Sequence, residues 1–82
     1  MNRIATACDL EALFLQIAHN IKKERQDRCM TIRQLAYHSG LSVQTIVNAE
    51  KGTTAISLPV IVAIFRAMKI RVYLKYIDEN EL

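Results

Sequence analysis

The sequence predicts a small all-α domain of four helices followed by a single β-strand. Three observations carry that expectation. Apolar residues recur at helical spacing through most of the chain, Thr31, Ser42 and Ser57 stand just ahead of three such stretches, and Gly40 and Gly52 stand just past two of them. Eighty-two residues, 51% hydrophobic and 23% charged with two Gly and one Pro, describe one compact core rather than a disordered or multidomain chain. A chain this short hides only about 60% of its unfolded surface, so association with a second copy is an expected supplement to its stability.

From Leu10 the apolar residues fall at Leu10, Leu13, Phe14, Ile17 and Ile21, one stripe of a helix. Asp9 is the expected N-cap, and Lys22 to Arg28 continue as polar last turns whose cations suit the negative end of the helix dipole. The first helix is thus predicted over 9–28. Thr31 caps a short second helix with Ile32, Leu35 and Ala36 inward, stopped by Gly40 in the left-handed region. Ser42 caps a third, with Ile46 and Ala49 inward and Gly52 at its end. Residues 53–56 read as a loop. Ser57 then caps a fourth helix with Pro59 in its first turn and Ile61, Ile64, Phe65 and Met68 as its stripe. The β-branched content of that run also suits a buried strand; the helical neighbours favour helix. Beyond it Ile70, Val72, Leu74 and Tyr76 alternate with Arg71, Tyr73, Lys75 and Ile77, a strand pattern with no partner in the sequence.

Charge and cysteine content narrow the function. The net charge is +3, and three of the eight acids (Asp78, Glu79, Glu81) sit in the last five residues, so residues 1–77 carry +6. That excess suits a polyanionic partner. Two cysteines are too few to staple a secreted mini-domain and no signal-type leader opens the chain, so the cytoplasm is the expected compartment. The longest apolar run, Leu58 to Phe65, falls well short of a membrane span. Cys8, His19, Cys29 and His38 lie too far apart in sequence to start a zinc chelate, and no phosphate loop, nucleophile elbow or paired carboxylate frame is present. Neither catalysis nor a cofactor or metal is expected.

The turn Gly40-Leu41-Ser42 leaves so little chain between the second and third helices that they must form a helix-turn-helix. In such a unit the first helix crosses the DNA backbone and the second offers its N-terminal residues to base edges in the major groove. Leu35-Ala36, Gly40, Ser42, Thr45-Ile46, Glu50 and Gly52, followed by Ser57-Leu58, resemble the lambda-repressor/Cro (XRE-type) helix-turn-helix family over about residues 13–69. The resemblance implies a lambda-repressor-like bundle of four or five helices in a bacterial or phage-encoded regulator of double-stranded DNA. It places base contacts on Val43, Gln44 and Asn48, phosphate contacts on Arg33, Thr45 and Lys51, and a structural ion pair between Arg25 and Glu50. Gln44 or Asn48 suits adenine, Val43 a thymine methyl, and Lys51 a phosphate. Plainer roles stand beside these: Val43 closing the turn, Gln44 idle in water, Glu50 solvated. Ile32 stands where many members carry a Gln that orders a phosphate; Arg33 or Gln34 could supply that bond, or Ile32 could simply pack.

A lone strand leaves both its edges unpaired, so Ile70 to Ile77 must pair with another strand or not form, and a second copy is the nearest partner. Val60 and Val62 add apolar area outside the main stripe of the fourth helix. The expected homodimer interface therefore comprises Val60, Val62, Ile70, Val72, Leu74 and Tyr76, with residues 1–69 as the DNA-binding domain and 70–82 as a dimerisation strand and acidic tail. The operator would be an inverted repeat. A strand directly after the fourth helix also resembles HipB-type antitoxins, which dimerise through such a tail and hold a kinase toxin; an antitoxin that chiefly neutralises a toxin protein is the rival function. A fifth helix is the alternative to the strand.

Overall fold

The computed structural model describes the backbone of residues 7–52 and 55–73, and the side chains of those from Glu11 onward. Among the described residues four helices follow one another: α1 (Ala7–Asp27), α2 (Ile32–Ser39), α3 (Val43–Lys51) and α4 (Leu58–Ala67). α1 packs on α3, and α2 packs on both α3 and α4. The centre is built from Ile21, Leu35, Ile46, Ile64 and Met68, all essentially inaccessible, with Ala36 and Ala49 letting the helices approach. Each such large aliphatic side chain contributes about 1.5–3 kcal/mol by leaving water.

Local signals explain most boundaries. Thr31 Oγ1 accepts from the Gln34 amide at 3.0 Å while Gln34 Oε1 accepts from the Thr31 amide at 2.8 Å, a reciprocal capping box at the start of α2. Ser42 Oγ accepts from the Thr45 amide at 3.1 Å at the start of α3. Ser57 holds the N-cap position of α4 without a side-chain bond, so it caps by backbone geometry alone, with Pro59 in the first turn where no amide is needed. Asp9 lies inside α1 rather than ahead of it, because the helix is already formed at Ala7.

Three helices end in the same way. After α1, α2 and α4 a residue turns left-handed (Cys29 φ 54°, Gly40 φ 72°, Lys69 φ 64°), and the next residue's amide reaches back five positions: Met30 to Arg25 O at 3.1 Å, Leu41 to Ala36 O at 3.1 Å, Ile70 to Phe65 O at 2.9 Å. This is the Schellman arrangement, and the apolar residues Met30, Leu41 and Ile70 each pack on the core as it requires. Cys29 and Lys69 adopt a conformation costly for residues with a Cβ, so the apolar anchor that follows must hold them there.

One further expectation changes, and one is not shown. Leu13 is 52% exposed, and the buried stripe of α1 runs instead through Ala18 and Ile21, flanked by half-buried Phe14 and Ile17. α1 contacts the rest of the chain chiefly through α3, whose short length gives the outer turns little to lie against. Residues 70–73 carry no strand: a strand is defined by a neighbour's hydrogen bonds, and among the described residues none is offered. Leu74 to Ile77, the remainder of the alternating run, lie outside the described residues, as do Thr53 and Thr54 of the predicted loop.

Candidate nucleic-acid interface

α2 and α3, joined through Gly40-Leu41-Ser42, form the helix-turn-helix. Leu35, Ala36, Ile46 and Ala49 face the core, which fixes the opposite sides of both helices outward. On the outer side of α3, Val43 is 44% exposed, Gln44 and Lys51 are exposed, and Asn48 is half-buried. Gln44 Nε2 donates to Asn48 Oδ1 at 3.0 Å, as residues four apart on a helix can. Gln44 keeps its carbonyl oxygen and Asn48 keeps its amide nitrogen for an outside group, one acceptor beside one donor. Thr45 is half-buried, its hydroxyl 2.8 Å from that of Ser42.

On α2, Arg33 and Tyr37 are both exposed, Tyr37 to 80%. They are four residues apart and so share a face. Tyr37 meets the exposed His38 edge to face, with ring centroids 5.4 Å apart. Sequence reasoning passed over Tyr37; the signal was an aromatic at a position where the helical period places no core residue. Gln34, offered above for a phosphate, is held by the capping box. Ile32 is half-buried and packs against the core.

What fixes α3 in place is the Arg25–Glu50 contact between the last turns of α1 and α3. Arg25 Nε donates to Glu50 Oε2 at 2.6 Å and Nη2 to Oε1 at 3.0 Å, a two-pronged pair, while Nη1 donates to Met30 O at 2.8 Å. The side chains are only 11% and 8% exposed. The hydrogen bond it donates to Glu50 raises the guanidinium's pKa against the opposing effect of burial, so Arg25 stays charged at every accessible pH. A second tether joins α1 to α4: Arg28 Nε donates to Met68 O at 3.1 Å, and Arg28 also bonds Glu24. Arg28, expected as part of a polar helix end, is thus tied to the bundle. Gly52 closes the seam, because a Cβ there would stand 3.0 Å from Ala18 Cβ and 3.2 Å from Leu15 Cα.

Val60 is half-buried and packs on the chain's own core, as does Ile70, while Val62 lines an open groove with Ile70 and Val72. Leu74 and Tyr76 lie outside the described residues. Among the described residues no three metal-ligating side chains cluster, and no helix is long and apolar enough to cross a membrane.

The family model described as helix-turn-helix matches residues 21–74, well over half of the chain. The chain belongs to the XRE-type helix-turn-helix family. No curated protein and no solved structure matches it significantly. The family is one of DNA-binding domains. The match begins at Ile21 and so takes in the Arg25–Glu50 seam as well as α2, α3 and α4.

Proposed function

We propose that this helix-turn-helix protein is a sequence-specific repressor that occupies an inverted-repeat operator as a homodimer. Residues 1–69 bind the DNA and 70–82 join the two copies. The observation that carries this reading is the outward placement of Val43, Gln44 and Asn48 along one side of a helix clamped by a nearly buried ion pair. A rigid reading element lets contact energy go into discrimination rather than ordering. The free acceptor of Gln44 and the free donor of Asn48 together match the N6 amino group and N7 of adenine, and Val43 suits a neighbouring thymine methyl. Arg33, Thr45 and Lys51 supply phosphate contacts, with Tyr37 beside Arg33 as a further candidate for the sugar-phosphate wall. Two copies related by a twofold axis would set their reading helices one DNA turn apart, about 34–36 Å.

Binding isotherms by fluorescence anisotropy over a salt series separate the roles. Lys51→Ala is expected to weaken all sequences alike and flatten the slope of log K against log salt by about one unit. Gln44→Ala is expected to relax preference at one base pair, by about 1–3 kcal/mol. Asn48→Ala should affect the same base pair, with the double variant losing less than the two single losses added, because the amides act as one unit. Equal losses on every operator variant for both Lys51→Ala and Gln44→Ala would overturn the assignment.

A further inference from the structure

The groove between α4 and the segment that follows it is a feature that DNA reading leaves unused. It encloses about 530 Å³, with Val62, Ile70 and Val72 as an apolar floor and Arg66, Lys69 and Arg71 as a cationic rim. All three cations are exposed, and among the described residues none is paired with a carboxylate. The same chain ends in Asp78, Glu79 and Glu81, three of its eight acids within five residues. We propose that this groove receives the acidic tail, residues 78–81, of a second copy, so that each chain clamps the other. The proposal rests on the dimer reading given above.

The assignment to a second copy follows from chain geometry. Residues 73–77 (Tyr-Leu-Lys-Tyr-Ile) contain no Gly, Pro, Asn or Asp with which to reverse direction. If the alternating run is extended as its sequence pattern suggests, the six steps from Val72 to Asp78 would span about 20 Å and carry the acids away from their own groove. Antiparallel pairing about a twofold axis returns them to the other copy's groove. Keeping Ile70, Val72, Leu74 and Tyr76 of both copies on one face demands a register in which opposed residue numbers add to an even total. The two most central such registers put Tyr73 or Leu74 on the axis. In the first, Asp78 and Glu79 stand opposite residues 68 and 67 of the second copy; in the second, opposite residues 70 and 69. Either way the acids emerge between Arg66 and Arg71 of the second copy, and the strand pairing and the charge pairing reinforce one register.

Charge reversal in full-length protein tests this. One variant reverses the tail (Asp78→Lys, Glu79→Lys, Glu81→Lys); the other reverses the rim (Arg66→Glu, Arg71→Glu), sparing Lys69 with its left-handed backbone. Sedimentation equilibrium at low salt should show each variant dimerising about tenfold or more weakly than the unaltered chain, a difference that narrows as salt screens the pairs. Mixed in equal amounts, the two should form a heterodimer, identified by mass in native mass spectrometry, with affinity near that of the unaltered dimer, because both crossed contacts are then restored. If both variants dimerise as tightly as the unaltered chain, the clamp is refuted while the dimer stands. If mixing restores nothing, the tail acts on its own chain and the proposal falls. An unaltered chain that stays monomeric at every concentration would remove the dimer reading itself.

Discussion

Removing the Glu50 carboxylate should come close to unfolding the domain. Glu50→Ala strands the Arg25 guanidinium in a seam where the pair is only 11% and 8% exposed, with Met30 O as its one remaining described partner. Deleting one member of a buried pair costs about 3–5 kcal/mol, against under about 1 kcal/mol for an exposed pair. The total stability of a chain this size is about 4–12 kcal/mol, so the loss is a large share of it. With a urea m-value of about 1–3 kcal/mol per M, the unfolding midpoint followed by circular dichroism should fall by at least about 1 M. The melting temperature should drop by at least about 12 °C. Because the charges are shielded from solvent, the effect should persist in high salt. The double variant Arg25→Met, Glu50→Met leaves no stranded charge and should retain more stability than Glu50→Ala. The raised guanidinium pKa adds a sign: the contribution of Arg25 is present below its ordinary pKa and lost only above its folded value, so neutral to mildly alkaline pH should not erode it. A loss below about 1 kcal/mol, or one abolished by salt, would refute the inference that this pair holds α3 in place.

The two glycines should respond unequally. Gly40→Ala meets no atom within 4 Å and bears only the left-handed backbone penalty, about 1–2 kcal/mol, whereas Gly52→Ala adds a collision with Ala18 and Leu15 and should cost clearly more by urea titration. Thr31→Ala removes half of the α2 capping box and should cost about 1 kcal/mol, with weakened amide protection confined to the first turn of α2 in hydrogen exchange. Met30→Ser should destabilise the end of α1 by more than its exposure suggests, since Met30 anchors the left-handed Cys29; Cys29→Gly in the same background should recover part of that loss by removing the Cβ penalty.

Much of this architecture was written plainly in the chain. Thr31, Ser42, Gly40 and Gly52 mark helix ends by chemistry that acts within a few residues, and the inward residues of α2, α3 and α4 follow from the helical period. The Arg25–Glu50 contact spans 25 positions and came only through family resemblance, since nothing local pairs one Arg among eleven cations with one acid. The left-handed residues after α1 and α4 are not legible for a related reason: Cys29 and Lys69 are unremarkable as residue types, and only the packing of Met30 and Ile70 makes their backbone tolerable. Leu13 follows the apolar period yet is exposed, because periodicity reports which face is apolar and not whether anything covers it. At the interface, Gln44 and Asn48 were named singly; their spacing of four could have suggested that they bond each other.

The most direct test is selection from degenerate double-stranded oligonucleotides with the purified full-length protein, repeated with Gln44→Ala. The expected result is an enriched inverted repeat with half-site centres about 10 base pairs apart, and loss of information at one symmetric position in the variant. Recovery of unenriched sequence, or identical enrichment by the variant, would contradict the claim that α3 reads bases; coupled with a tightly held protein partner, it would shift the function to toxin neutralisation.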